Sequence, residues 1–401
     1  MLPLLALSSL ALYVAVSPVW WFVGLLLLSA AIDYVAALAM GRWPQHKGLA
    51  LGASLVGNLG LLGYWKVLAT GPLPPGISFY TFQTLGYTLD VYRGELRPRR
   101  DPWLVLAYVA YFPQLLAGPI EKGSDLFPQL ERMRRPTGAD LEAGLGLLIS
   151  GAVQKLVVAD TLGVYVDAVW AQPTAPGPLR AAATVGFAVQ LFADFSGYTD
   201  LARGAARLMG VRLAENFDRP FLAASPLDFF GRWHITLGRF LRAHVYGPLR
   251  GRIGAGAALA LTFVAAGLWH GVGPTFLLWG LWFGLLAALW AGLDPGRRLP
   301  RRLGQGLTLL AVGLGMALFR APSVEAALGL FTAGWGGAVE AAQALVLLSL
   351  SGALGGLCVA LGAWERRPPG PVVRGLLGGL GLLLVGLCWG ADHQAFVYFQ
   401  F

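Results

Sequence analysis

One stretch of this chain decides its fold class: Ala265-Ala266-Gly267-Leu268-Trp269-His270-Gly271-Val272-Gly273-Pro274. It lies between two apolar runs, because neither Ala255 to Leu268 nor Phe276 to Ala291 contains a charged residue. An ionisable ring between two such segments is costly to place in lipid, and residues of this kind usually face a protein interior or a water-filled cavity. The stretch therefore predicts a membrane protein and makes His270 its first candidate functional residue.

The composition supports an all-α polytopic membrane protein. Of the 401 residues, 56% are hydrophobic and only 13% are charged, whereas a soluble domain has about 25% charged residues. The mean hydropathy is +0.62. Spanning helices need about 20 apolar residues each, and on that criterion the chain offers roughly ten or eleven candidates. Continuous apolar runs favour helices over a barrel, because helices satisfy their own backbone hydrogen bonds in lipid.

Charge and cysteine content exclude several other classes. The net charge is +9, but the arginines cluster in short loops between apolar runs, as expected for cytoplasmic loops rather than for nucleic-acid binding. Cys358 and Cys388 both lie in apolar segments, so the sequence predicts neither a disulfide framework nor a metal site. The first 40 residues lack a basic leader region and predict two uncleaved helices. We expect one membrane domain over residues 1–401.

The apolar pattern predicts helix bounds along the chain. The expected helices are 2–16, 19–40, 49–69, 77–92, 141–165, 181–206, 255–270, 275–292, 303–319, 341–363 and 373–390. The helix at 181–206 is expected to be interrupted by the polar stretch Asp194-Phe195-Ser196-Gly197-Tyr198-Thr199-Asp200. The run 103–120 has basic loops on both sides, so its ends should share one side of the membrane. We predict that it is re-entrant, with additional short and interfacial helices around a central tunnel.

A second histidine follows a strong helix start at Ser225-Pro226-Leu227-Asp228. Ser as N-cap, Pro at the first position and an acid three residues after the cap predict a helix that runs on to residue 242. At about 100° per residue, His234 shares one face with Phe230, Leu237 and Leu241. Arg232, Arg239 and Arg242 fall on the opposite side, which predicts a helix along the membrane interface with one imidazole turned inward.

Each of the two histidines and the polar residues near them could have either a functional or a purely structural role. A neutral imidazole can accept a proton from a hydroxyl or thiol near neutral pH, but a histidine on an apolar face is often a hydrogen-bonded core residue. Asp194 has no cation in its local sequence and is expected to line a cavity, with Gln190 one turn earlier on the same face. Asn216 either lines the site or caps a turn.

Six ordered motifs and the chain's ending together resemble one family, the membrane-bound O-acyltransferases, in their bacterial alginate O-acetyltransferase-like branch. The motifs are Gly76-Ile77-Ser78-Phe79-Tyr80-Thr81-Phe82-Gln83, Phe112-Pro113-Gln114-Leu115-Leu116-Ala117-Gly118-Pro119-Ile120, Asp194-Phe195-Ser196-Gly197-Tyr198, Asn216-Phe217-Asp218-Arg219-Pro220, Arg232-Trp233-His234-Ile235-Thr236-Leu237, Gly267-Leu268-Trp269-His270-Gly271 and the ending Val397-Tyr398-Phe399-Gln400-Phe401.

The resemblance implies a catalytic role for His270, as general base or proton relay, and a role for His234 in orienting or activating substrate. It implies that further residues line a substrate tunnel: Gln83, Gln114, Gln190, Asp194, Tyr198, Asn216, Arg232, Trp233 and Trp269. It also implies a multi-pass protein of the bacterial inner membrane, with acetyl-CoA as a cytoplasmic donor substrate and no bound cofactor or metal. The acceptor would be an extracytoplasmic polysaccharide or a periplasmic SGNH-type acetyltransferase partner.

Three alternatives stay open at this stage. The acyl group could be another one, such as D-alanyl passed from a carrier protein to a cell-wall polymer. A proton-coupled transporter could use His270 and Asp194, although transporters often contain inverted repeats and none is visible in this sequence. A scaffold that only recruits partners would leave both histidines replaceable.

Overall fold

The structure, a computed structural model, describes residues 1–293, 299–366 and 370–388, and within these ranges helices joined by turns and loops are the only regular secondary structure. The predicted ending motif at 397–401 lies outside the described residues. The helices are α1 (Leu2–Val16), α2 (Phe22–Arg42), α3 (Lys47–Gly63), α4 (Ile77–Arg93), α5 (Pro102–Ala110), α6 (Gly123–Glu131), α7 (Gly138–Ala152), α8 (Asp160–Trp170), α9 (Gly177–Leu208), α10 (Pro226–Arg232), α11 (Ile235–Leu241), α12 (Gly247–Ile253), α13 (Ala255–His270), α14 (Pro274–Leu293), α15 (Arg301–Arg320), α16 (Val324–Thr332), α17 (Ala338–Arg366) and α18 (Pro371–Cys388).

The chain forms two compact units. The N-terminal unit comprises residues 1–145 and 201–215, and the C-terminal unit comprises 146–200 and the residues from 216 onward. The expectation of one membrane domain over the whole chain stays a prediction.

Seven helical segments among the described residues are long and apolar enough to cross a membrane, by length and composition: Phe22–Arg42, Pro44–Leu68, Gly138–Trp170, Pro274–Gly292, Arg301–Arg320, Ala338–Trp364 and Pro371–Cys388. Leu2–Val16 and Ala255–His270 are shorter apolar helices. The all-α polytopic fold class is confirmed. The seven spans are fewer than the ten or eleven expected, because polar residues dilute α9 and because α1, α4 and α13 have fewer than 18 residues.

The bounds of the later helices agree closely with the sequence pattern, from α13 through α15 and in α17 and α18. The expected interruption of the sixth predicted helix is wrong, since α9 runs unbroken through Asp194–Asp200. Its acids find partners without leaving the helix: Lys155 Nζ lies 2.9 Å from Asp194 Oδ1, and Gln154 donates to Asp200 at 2.8 Å. A satisfied buried carboxylate has no need of a backbone break.

The run 103–120 contains only a short helix. The nine residues of α5 rise about 14 Å, less than half of the roughly 30 Å hydrocarbon core. The backbone leaves the helix at Tyr111 and turns through residues 112–118. Gly76, at φ +73°, begins α4 against this turn, where a Cβ would stand 2.5 Å from the Leu115 carbonyl oxygen. The re-entrant placement itself stays a prediction.

Helices α13 and α14 pack backbone to backbone and so fix the position of His270. A Cβ on Gly267 would stand 2.3 Å from the Phe276 carbonyl oxygen, and one on Gly280 would stand 2.7 Å from that of Phe263. Only glycine allows such an approach, as in other close helix pairs of membrane proteins. The tight hairpin holds His270 at the end of α13, opposite the beginning of α14.

Candidate active site at two histidines

His270 ends α13 inside an aromatic enclosure of the C-terminal unit. The residue is buried, with 6% of its surface exposed. The ring centroids of Trp279 and Phe319 lie 5.4 Å and 5.0 Å from it, each at a steep interplanar angle. Trp269, its neighbour in sequence, contributes a third ring at 4.9 Å. These edge-to-face contacts restrict the orientation of the imidazole.

His234 does not lie within a continuous helix, so the prediction of one helix from 225 to 242 is wrong. The N-terminal cap is confirmed: Ser225 Oγ accepts the Asp228 amide at 3.0 Å. However, α10 ends at Arg232, and His234 takes the left-handed conformation (φ +46°, ψ +53°) before α11 begins. This conformation costs a non-glycine residue about 1 kcal/mol or more, so contacts from elsewhere must stabilise it.

Asn216 supplies those contacts. Its backbone carbonyl accepts the Ile235 amide at 2.9 Å. Its side-chain Oδ1 accepts the Thr236 amide at 3.2 Å and the Thr236 hydroxyl at 2.9 Å. All three donors belong to the two residues that directly follow His234, which has the left-handed backbone conformation. Asn216 therefore stabilises the turn at His234, and its predicted place in the site stays a prediction.

The same oxygen determines the tautomer of His234. Its Nδ1 lies 3.2 Å from Asn216 Oδ1. The Thr236 backbone amide can only donate, so the Asn216 atom that faces it must be the oxygen. Nδ1 must then carry the proton, which leaves the lone pair of a neutral ring on Nε2. Burial lowers the pKa of His234 to about 3, so the ring is neutral at physiological pH.

Both histidines line one cavity of about 420 Å³, here called the histidine cavity, between α10, α11, α13 and α14. Phe230, Leu237 and Leu241 also line it, as their predicted common face requires, even though the helix is broken. Arg242 lines it too, so its predicted place on the opposite side is wrong. The volume falls within the range of small-molecule sites, about 300–1,000 Å³.

Both predicted tryptophans contribute to this site. Trp233 lines the histidine cavity beside His234. Trp269 packs against both imidazoles, with its ring centroid 5.8 Å from that of His234 and 4.9 Å from that of His270. It thereby links the two histidines through one rigid side chain.

Four other predicted tunnel residues lie outside the lining of the histidine cavity. Asp194 is fully buried and ion-paired with Lys155, a cation that the local sequence does not contain. Arg232 donates to Asp228 at 2.6 Å. Gln190 is buried in α9, and Tyr198, about two turns later in the same helix, is half-buried. None of these four is among the described residues that line the histidine cavity.

Gln83 and Gln114 lie in the N-terminal unit, where they line a separate and much smaller cavity. Gln83 Oε1 accepts the Glu121 amide at 2.7 Å, and Gln114 donates to the Tyr108 carbonyl at 3.1 Å. The remaining amide atoms, Gln83 Nε2 and Gln114 Oε1, are buried and form no hydrogen bond with the described residues.

The structure adds Trp279, which the sequence pattern does not single out. Trp279 lines the histidine cavity beside His270. Its indole Nε1 is buried and donates to no acceptor among the described residues. A buried donor without an acceptor costs about 1–3 kcal/mol, so an acceptor from a bound molecule would be favourable there. The sequence gives little signal for it, because Trp279 is one of several aromatic residues in the apolar run of α14.

Comparison with known proteins identifies the class. The sequence model of the membrane-bound O-acyltransferase family matches residues 95–293, a range that includes both histidines. With the relatives described next, this match shows that the chain belongs to the membrane-bound O-acyltransferase family and is a membrane O-acyltransferase.

Its relatives act on different acceptors. The chain is 33% identical to the "Probable alginate O-acetylase AlgI" of Pseudomonas putida over 345 residues, which cover 77% of this chain and 70% of that one. It is 30% identical to the peptidoglycan O-acetyltransferase of Helicobacter pylori, over 77% of this chain and 69% of that one. It is 26% identical to the teichoic acid D-alanyltransferase of Bacillus subtilis, over 53% of this chain and 57% of that one. The predicted family and O-acyl transfer are confirmed.

Proposed function

We propose that this protein moves an acetyl group from acetyl-CoA, at the cytoplasmic side of a bacterial inner membrane, to a hydroxyl outside. The acceptor is an extracytoplasmic polysaccharide or a periplasmic SGNH-type partner that passes the group on. The observation that carries the proposal is the shared cavity of His234 and His270. Relatives named as O-acetyltransferases, at 30–33% identity, favour acetyl as the group.

His270 acts as the general base. Its imidazole takes the proton of the acceptor hydroxyl as that oxygen attacks the thioester carbonyl. The new O–C bond forms, the C–S bond breaks, and the departing thiolate takes up the proton from the imidazolium. The aromatic enclosure of His270 restricts the ring to one orientation, so little motion is needed at the moment of transfer.

His234 and Trp279 hold the reacting groups. His234 is neutral and presents an Nε2 lone pair, which can accept a hydrogen bond from a substrate hydroxyl or amide. The Trp279 indole N–H can donate to the thioester carbonyl oxygen, where negative charge develops during attack. An N–H donor in an apolar cavity is more effective than one in water, because the effective dielectric constant there is low.

We propose supporting roles for the remaining predicted site residues. Trp233 contacts substrate within the histidine cavity, and Trp269 and Asn216 position the two imidazoles. Gln83 and Gln114 bind a polar group through their available amide atoms. Gln190, Asp194, Tyr198 and Arg232 are proposed to line the path of the substrate.

The test uses full-length protein in membranes, radiolabelled acetyl-CoA, and alginate and peptidoglycan fragments as acceptors. Wild type is expected to transfer label, and His270→Ala is expected to lose transfer by about 10³-fold. His244→Ala is the matched control, since His244 lies in the same unit but does not line the histidine cavity. Full transfer by folded His270→Ala protein would disprove the mechanism.

One alternative has a specific observation in its favour. Similarity to the teichoic acid D-alanyltransferase supports transfer of D-alanyl from a carrier protein. Supplying a D-alanyl carrier thioester in place of acetyl-CoA separates the two. Label transfer from that donor alone would replace acetyl with D-alanyl and leave the histidine chemistry unchanged.

A further inference from the structure

A cluster of arginines surrounds one carboxylate in the N-terminal unit. Asp140, at the start of α7, is 1% exposed at its side chain, and three guanidinium groups approach it, from Arg134, Arg207 and Arg212. Three positive charges facing one negative charge leave a net charge of +2. The cluster lies at the start of the apolar segment Gly138–Trp170, a candidate membrane span by length and composition, so we expect it near a membrane surface.

A turn of the backbone after α9 brings the arginines together. Arg207 lies in the last turn of α9. Gly210 then takes φ +78°, and a Cβ there would stand 2.3 Å from the Arg134 carbonyl oxygen. Gln129 holds the next residues, donating to the Arg212 carbonyl at 3.0 Å and accepting its amide at 2.9 Å. The turn thus presses the chain against residue 134 and leaves the side chain of Arg212 largely exposed, with its Nη2 donating to Asp140 Oδ1.

Asp140 binds Arg134 tightly and the other two arginines only weakly, since its hydrogen bond from Arg212 Nη2 is 3.4 Å long. Its Oδ2 accepts from Arg134 at 2.6 Å and from the Thr137 amide and hydroxyl at 3.0 Å and 2.7 Å. Arg207 Nε and Arg212 Nη2 both stand 3.4 Å from Oδ1, long for charge-assisted hydrogen bonds, which are about 2.7–2.9 Å. The buried Arg207 Nε forms no hydrogen bond with the described residues.

The electrostatics agree with an incomplete neutralisation. Burial and, next, the nearby charge of Arg212 lower the pKa of Arg207. An anion placed between these two guanidiniums would relieve that repulsion. Their fork geometry matches the oxygens of a phosphate group.

We propose that Arg207 and Arg212, held in place by Asp140 and Arg134, bind a phosphate group at the membrane surface. The phosphate is either that of an anionic lipid headgroup or a soluble one. The inference does not depend on the acyl-transfer chemistry, since it uses residues of the N-terminal unit only. It assigns a binding role to arginines whose clustering in loops otherwise indicates only the cytoplasmic side of the membrane.

The deciding variant is Arg212→Gln. The side chain of Arg212 is 62% exposed, and its backbone rather than its guanidinium makes the contacts with Gln129, so the fold should persist. Arg97→Gln is the matched control, because Arg97 is an exposed arginine of the same unit. Arg212→Lys keeps the charge and removes the fork.

Full-length protein in detergent is titrated in two arms, with its melting temperature and native mass spectra as readouts. One arm adds inorganic phosphate against chloride at equal ionic strength, and the other adds phosphatidylglycerol against phosphatidylcholine. Wild type and Arg97→Gln are expected to bind in at least one arm, and Arg212→Gln about tenfold more weakly. The arm that responds identifies the source of the phosphate. Equal binding by wild type and Arg212→Gln, or no preference for phosphate in either arm, would overturn the proposal.

Discussion

Replacing Asn216 by alanine is the sharpest test of how the site is built. Asn216 Oδ1 accepts three hydrogen bonds, from the Thr236 amide, the Thr236 hydroxyl and His234 Nδ1. All three donors are buried, and each one left unsatisfied costs about 1–3 kcal/mol. The hydroxyl can rotate toward another acceptor, so we expect Asn216→Ala to lower the free energy of unfolding by about 3 kcal/mol.

The kinetic effect should be larger than a general loss of stability explains. Without Asn216 Oδ1, nothing selects the tautomer with the proton on Nδ1, and the left-handed His234 loses its support. Misplacement of a positioned group by about 1 Å can cost about 10²-fold in rate. We therefore expect kcat for acetyl transfer to fall about 100-fold, with little change in KM for the donor.

Asn216→Asp separates the positioning role from mere packing. The aspartate keeps an acceptor for all three donors, so stability and most of the activity should return. Its charge, beside Nδ1, would raise the pKa of His234 and move the acidic limb of the pH–rate profile to higher pH. The reasoning is refuted if folded Asn216→Ala protein retains wild-type kcat, or if Asn216→Asp is as slow as Asn216→Ala with no shift in its profile.

Three further outcomes follow from the geometry. Burial lowers the pKa of His234 to about 3, against about 6.5 when unfolded. The free energy of unfolding should therefore fall by about 2 kcal/mol as the pH is lowered from about 6.5 to 5. Denaturation of wild type and His234→Gln at both pH values should show this loss of stability only in wild type. Gly280→Ala puts a Cβ 2.7 Å from the backbone of α13 and should cost about 1–3 kcal/mol, whereas Gly292→Ala, in open space on the same helix, should be neutral or stabilising; equal melting temperatures would contradict the close contact. Lys155→Met leaves Asp194 buried without its cation and should cost about 3–5 kcal/mol, and adding Asp194→Asn should recover part of that loss in the same thermal assay.

The sequence was sufficient for the later helices because composition and chain breakers coincide there. Helix α13 begins after Gly254 and ends at His270, before a glycine-rich segment and Pro274. Hydropathy gives the length of such a helix, and glycine and proline give its ends. The same signals placed the cap at Ser225 correctly.

The break at His234 could not be read from the sequence, because Arg232-Trp233-His234-Ile235-Thr236 contains neither glycine nor proline. Its conformation depends on Asn216, 18 residues earlier in the chain. The partner of Asp194 is likewise remote, 39 positions away at Lys155. Local periodicity reports which residues prefer a helix, but a contact between distant segments overrides it.

Along α13, one stripe of side chains faces the histidine cavity: Leu259, Thr262, Phe263, Ala266 and His270. Successive members are one to four residues apart, at most about one helical turn, so this face of the helix leads along the cavity to the proposed base. The two small members, Thr262 and Ala266, set how much room lies beside the imidazole. Exchanging them for larger or smaller residues would change the length of the acyl chain that the enzyme accepts, so one helical face could set chain-length specificity without altering either histidine.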